Sequence, residues 1–452
     1  MDNVSISITL FVFLATVLLI TWKPRGLNET IPSSISAFIL VLFGIVSLGD
    51  ILAIFNIVSG ASITILSTIV MTIVLESIGF FRWVAVNLIN KAKGSGKRLY
   101  LYVVVLCFLM TVFFNNDGSI LITTPIIIQI VKILNLKRHQ QIPYLISGAL
   151  VATAASAPIA ISNIANLIAL KIVGLTLNSY VAMMFVPSMI GIITITILLY
   201  LYFKKDIPVT LPLIEANLSG IKKDRLVPRH PFDTRPSHEN VDWWMFRMCI
   251  LVVVGVRASF FLLTSFGVPM EWIAIVGAII IVTIRWIRNK TGITDVIKKT
   301  PWHILIFALS MYILVYGLGN VGITSIFVEW LKPLVTNDLF GAIFSMGIFL
   351  SVLSNLVNNL PAVMIGTITL TEMNVDLRLE QVMYLANIIG SDIGALLTPV
   401  GTLATLIWMF ILKKNHIHYS WSEYFRVTII IIPIGLVVSL FSLYLWISWL
   451  FI

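Results

Sequence analysis

The sequence predicts an all-α polytopic membrane protein made of two inverted five-span repeats, each with a re-entrant hairpin and a broken helix. That is about 10 spans plus a pair of hairpins, with the N- and C-termini outside. Three observations predict it: the composition, the sidedness of the basic residues, and a recurrence of interrupted apolar segments. Of 452 residues, 59% are hydrophobic and 11% charged, and the mean hydropathy is +1.02. Soluble domains carry about 25% charged residues, so 30 Lys+Arg and 20 Asp+Glu cannot cover a water-facing surface of this size. A soluble enzyme, a nucleic-acid-binding domain and a disordered scaffold are excluded, and the lipid bilayer is the expected solvent. Cys107 and Cys249 both lie in apolar runs, which excludes a disulfide framework and a thiolate metal cage.

Taken in order, the first repeat covers 1–203. The run from Ile6 to Trp22 lacks a preceding basic cluster and a small-residue cleavage site, so it reads as a retained first span rather than a signal peptide. Spans follow near 33–56 and 62–81, then a hairpin over 99–134, a broken span over 143–173 and a last span near 180–203. The hairpin is read from two short apolar arms around the polar NNDG, a pattern tolerated only where the tip is buried in protein or lines a cavity. A proline-rich polar stretch, 204–242, reads as a cytoplasmic linker. The second repeat, 243–452, has spans near 243–264, 270–288 and 302–320, a hairpin over 339–371 interrupted by SNLVNNLP, a broken span over 380–412 and a span near 424–450.

Charge tests this layout. With the N-terminus outside and each hairpin returning to its own side, 26 of the 30 basic residues fall on one face. Treating either hairpin as a single crossing reverses the later loops and destroys the pattern, so the net charge of +10 is the positive-inside signature of a cytoplasmic face.

The interruptions recur. Asn115 aligns with Asn358 at an offset of about 243, and APIAISNIANLI resembles TPVGTLATLI at an offset of about 240. Five spans per half is odd, so the second copy must be inverted, which is the pattern of secondary transporters whose binding site lies where the breaks meet. Candidate substrate-binding side chains are Asn115 and Asn116 at the first tip, Ser162, Asn163 and Asn166 in the first break, Asn358 and Asn359 at the second tip, and Thr398 and Thr402 in the second break. Gly118, Pro158, Pro361, Gly394, Pro399 and Gly401 break the helices and free backbone groups for a solute. Asp117 and Asp392 are the acids at membrane depth, either able to carry a coupling proton. Arg257, in the outer third of its span, is expected to pair or snorkel. No Walker lysine motif, nucleophile–base pair or metal-ligand cluster occurs within a span, so the chain reads as a transporter rather than an enzyme, with no metal and no cofactor.

FFNNDGSILITTPI, ISNIANLI, NNLPAVMIG and ANIIGSDIGALLTPVGTLATLIWMFIL resemble the arsenite efflux permeases, the ArsB-type members of the ion transporter superfamily. The chain departs from the family pattern after Gly394, where Ala395 and Leu396 stand in place of a Pro-Lys pair. The resemblance implies a multi-pass carrier of the bacterial cell membrane that exports arsenite or antimonite in exchange for protons by alternating access. It also implies a homodimer and, in some organisms, a cytoplasmic ATPase partner. Arsenite is an uncharged trihydroxide in neutral water, which calls for hydrogen-bonding side chains rather than a counter-charge. The alternative within the superfamily is a sodium- or proton-coupled carrier of another small solute or anion, such as dicarboxylate or silicate, or a Na+/H+ antiporter.

Overall fold

The computed structural model describes residues 3–22, 27–212, 242–290 and 293–450. Most of the expected linker, 213–241, lies outside them. The described chain is helical throughout. Nine of its helices are long and apolar enough to cross a membrane, two of them hairpin arms.

The first half begins with α1 (Asn3–Trp22), α2 (Thr30–Leu42) and α3 (Leu48–Ser77). Here the structure corrects the spans read near 33–56 and 62–81: α2 has 13 residues and α3 is one helix of 30. The chain breaks earlier than hydropathy suggests. Gly44 takes φ +69°, and Ser47 and Asp50 cap each other reciprocally at the start of α3. The gap expected between those spans lies inside α3 and admits a neighbour: a Cβ on Gly60 would sit 3.2 Å from the Glu271 carboxylate.

Next come α4 (Phe80–Ala92), α5 (Gly96–Phe113) and α6 (Asn116–Ile133). The interrupted helix follows as α7 (Arg138–Ala154) and α8 (Ile164–Val173), and α9 (Leu177–Phe203) closes the half. The second half runs α10 (Trp243–Leu263), α11 (Met270–Asn289), α12 (Thr294–Lys299), α13 (His303–Asn320), α14 (Ile323–Val335), α15 (Leu339–Val357) and α16 (Asn359–Glu372). It ends with α17 (Leu377–Asp392), α18 (Leu403–Lys414) and α19 (Trp421–Leu450).

Each half carries a helix pair with a polar tip, α5–α6 or α15–α16, followed by an interrupted helix, α7–α8 or α17–α18, and a long final helix, α9 or α19. Helices α4 and α14 fall almost entirely in the connections expected between spans and hairpins; each has 13 residues and starts after a left-handed glycine, Gly79 (φ +82°) or Gly322 (φ +83°). Glycine is needed there because a Cβ disfavours that backbone region. The halves interlock: α6 packs on α18, and α16 packs on α8. Each hairpin thus brings its second arm to the interrupted helix of the other half.

Candidate functional site

The two interruptions meet around one carboxylate. Asp392 is the last residue of α17, where the chain leaves helical geometry, and it is 1% exposed. Its Oδ2 accepts from Ser156 Oγ at 2.7 Å and Asn166 Nδ2 at 2.6 Å, and its Oδ1 accepts from Asn163 Nδ2 at 2.9 Å. All three donors come from the first half: Ser156 follows α7, Asn163 caps α8 and Asn166 lies in its first turn. Asn163 has a second bond, its Oδ1 accepting the Ala165 N–H at 3.0 Å. Loss of water penalises the charged carboxylate, and three donated bonds favour it.

Two tyrosines brace this crossing. Tyr384 Oη donates to the Asn166 carbonyl at 2.8 Å, and Tyr180 Oη donates to the Ala157 carbonyl beside Pro158. Their rings lie 6.0 Å apart.

At the first tip, Asn115 Oδ1 accepts the Gly118 N–H at 2.6 Å and Asn116 Oδ1 accepts the Asp117 N–H at 2.8 Å. Gly118 leaves little room for a side chain, since a Cβ there would stand 2.9 Å from Asn115 Oδ1. Asp117 is half-buried in the first turn of α6, and α5, which leads into this tip, contacts the 160–162 turn of the first break. The structure therefore gathers the first tip, the first break and Asp392 in one region.

The second tip and second break form another cluster. Asn358, at φ +79°, donates from Nδ2 to the Val400 carbonyl at 2.9 Å. Asn359 is buried in the first turn of α16, where Pro361 needs no N–H partner. Thr398 donates its N–H (2.8 Å) and Oγ1 (2.9 Å) to Asn355 Oδ1, and Asn355 Nδ2 reaches the Gly394 carbonyl at 2.8 Å. Thr402 caps α18 and bonds Thr405 Oγ1 at 2.8 Å. Pro399 opens the short turn that Gly401 ends, and a Cβ on Gly401 would overlap the Ala395 carbonyl.

Several candidates for solute contact are thus engaged with the protein itself: Asn358, Thr398 and Thr402 hold the second break together. Among the described residues, buried polar atoms with no protein partner include Asn115 Nδ2, Ser162 Oγ and Asn166 Oδ1 at the first tip and first break, and Ser354 Oγ, Thr369 Oγ1, Trp408 Nε1 and both amide atoms of Asn387 in the second half. A buried donor or acceptor left unmade costs about 1–3 kcal/mol, so these are the atoms with most to gain from a polar solute.

Sequence reasoning passed over Ser156, Asn355, Tyr180 and Tyr384. Ser156 was hidden in the small-residue run ATAASAPIA, and Asn355 lies three residues before its tip. Of the two expectations for Arg257, it pairs rather than snorkels: it is 7% exposed and turns inward to bond carbonyls at the first tip. A cavity of about 410 Å³ lies on the far side of that tip, between α4, α5 and α10; its walls include Phe80, Met110, Phe113, Phe114 and Val253, and none of the amides or carboxylates of the site line it.

A buried carboxylate and amides where two interrupted helices meet in a multi-pass helical bundle define a membrane transporter rather than an enzyme. The comparisons agree. A solved structure of the YdaH transporter of Alcanivorax borkumensis shares the fold, with a TM-score of 0.54 at 12% identity over 89% of this chain and 90% of that one. The arsenical pump membrane protein family (ArsB) matches residues 8–447, and the chain belongs to that family. An Escherichia coli arsenical pump membrane protein is 32% identical over 439 residues, covering 97% of this chain and 98% of the relative. A relative from Bacillus subtilis (strain 168) is 50% identical over 441 residues, covering 97% and 99%. The chain is a multi-pass bacterial membrane protein.

Proposed function

We propose that this transporter exports arsenite or antimonite in exchange for protons by alternating access, with the two halves as inverted repeats and Asp392 as the group that carries the proton. The observation that supports it most is the Asp392 carboxylate, buried at the crossing of both breaks and held by three donors from the opposite half. A trihydroxide both donates and accepts. Asn115 Nδ2, Ser162 Oγ and Asn166 Oδ1 offer one amide donor, one hydroxyl and one carbonyl acceptor, all buried and unpartnered. No fixed counter-charge is required of the site.

In the mechanism that follows, the solute bonds to these atoms from the cytoplasmic side. Arrival of a proton at Asp392 from outside removes the charge that its three donors hold. The bonds to Ser156, Asn163 and Asn166 weaken, and the first break can shift relative to α17. One charge moving through about 150 mV supplies roughly 3.5 kcal/mol, enough for an outward gradient on the order of 300-fold. Asp117, half-buried at the first tip, competes for the proton.

The test is arsenite uptake into everted vesicles, with and without a protonophore, beside Asp392→Asn. Loss of uptake under both treatments supports the proposal. Strong proton-coupled uptake by the variant moves the coupling role to Asp117. Absence of arsenite uptake by folded wild-type protein removes the substrate assignment and turns attention to silicate, dicarboxylate and sodium.

A further inference from the structure

The two hairpins end differently. In the second, the amide of Asn355 ties α15 to the break, bonding the Ser351 carbonyl at 2.7 Å, the Gly394 carbonyl at 2.8 Å and the Thr398 N–H at 2.8 Å. The position displaced by 243 residues in the first half is Val112, which can make none of these bonds. The first hairpin is held from outside instead. Arg257 of α10 donates Nε to the Phe113 carbonyl at 2.7 Å and Nη2 to the Phe114 carbonyl. The matching position in α1 is Leu14, which faces outward at 59% exposure.

The two accepting carbonyls end α5 immediately before Asn115. Carbonyls at a helix C-terminus lack intrahelical partners and carry partial negative charge, and a planar guanidinium can meet two adjacent ones at once. Packing does only part of this work on that side: Phe114 meets the Phe81 ring, but Phe113, Phe114 and Val253 also line the apolar cavity of about 410 Å³. Nη1 of Arg257 is buried without a partner. A cation carrying an unmade bond inside an apolar layer is costly, and stability of α10 alone gives no reason for it.

We propose that Arg257 is a positioning residue for the first tip: its guanidinium fixes the end of α5, and through it Asn115, Asn116 and Asp117, against the first break. This rests on reading the tip as part of the transport site, and the test below separates the two. A thiol is introduced by Asn116→Cys, and its maleimide labelling rate is measured in native membranes with the full chain. Cys107 and Cys249 are fully buried, and the parent chain supplies the background rate. Adding Arg257→Gln is expected to speed labelling roughly ten- to hundredfold, the range for loss of a charged hydrogen-bond pair, with Arg257→Lys between.

In otherwise wild-type protein, Arg257→Gln is expected to raise the apparent KM for arsenite by a similar factor at equal protein level, and Arg257→Lys to recover most of it. A purely structural arginine would lower the amount of folded protein and leave KM unchanged; that result, or labelling within twofold of the Arg257 parent, overturns the proposal. If Arg257→Gln does not accumulate, Arg257→Lys keeps charge and loses the fork, so the same two readings apply at smaller amplitude. If wild-type protein moves no arsenite, the transport reading falls and labelling alone decides the role of Arg257.

Discussion

Asn163 has two separable jobs, and substitution can divide them. Its Oδ1 caps α8 through the Ala165 N–H at 3.0 Å, while its Nδ2 donates to Asp392 at 2.9 Å. Asn163→Ser keeps a capping oxygen and is too short to span to the carboxylate. Asn163→Ala loses both. An N-cap is worth about 1 kcal/mol, and a buried hydrogen bond to a charged group about 1.5–3 kcal/mol. The serine variant should therefore lose about 1.5–3 kcal/mol and the alanine variant about 1 kcal/mol more. In an Asp392→Asn background the amide at 392 cannot satisfy all three donors. Its oxygen can keep Ser156 and Asn166, leaving its NH2 against that of Asn163, which cannot flip without giving up the α8 cap. Asn163→Ala should then cost only the cap, so the double-mutant cycle should show a coupling of about 1.5–3 kcal/mol. Unfolding in mixed micelles, followed by tryptophan fluorescence on all four proteins, measures it. A coupling below about 0.5 kcal/mol would mean that the first break and Asp392 are neighbours without being energetically linked, and the proposed effect of protonation on the break would fail.

Two further predictions concern the frame. A Cβ on Gly390 would overlap the Gly347 carbonyl and lie 2.9 Å from Leu350 Cβ; since the obstruction is backbone, α15 and α17 must separate. Gly390→Ala should cost about 1–3 kcal/mol or more, and unchanged thermal stability in detergent would contradict the packing described. At the start of α10, hydrogen bonding from Arg288, then from the Met245 N–H, holds the Asp242 carboxyl below its usual range. A depressed folded value stabilises above the unfolded value of about 3.9 and is lost as pH falls through the folded one. The stability advantage of wild type over Asp242→Asn should hold steady above about pH 5 and shrink progressively as pH falls below about 4; a gap that stays constant well below about pH 4 would be inconsistent with this cap.

The sequence by itself determined the class of solvent, the helical content and the places where helices stop. Those properties follow from local chemistry: an apolar layer admits only helices with satisfied backbones, and NNDG, SNLVNNLP, APIAISN and TPVGT each combine prolines, glycines or amides that a helix interior resists. Both tips and both breaks could be read for that reason, as could Asp392 as an acid at depth. Where local signals were weak, reading failed. The gap between the spans read near 33–56 and 62–81 is the interior of α3, where Gly60 admits Glu271, while the Ser47–Asp50 box that does start α3 was masked by continuous hydropathy.

Partnerships were beyond any local reading. Ser156 and Asp392 are 236 positions apart, and Arg257 lies 143 from Phe114; nothing in either neighbourhood specifies the other. Only the tertiary structure decided that the first break faces the second-half acid, that Asn358, Thr398 and Thr402 bond the second break, and that the first tip takes its cation from α10. The physical reason is that a buried polar group must find a partner wherever packing brings one, and packing here joins helices from opposite halves of the chain.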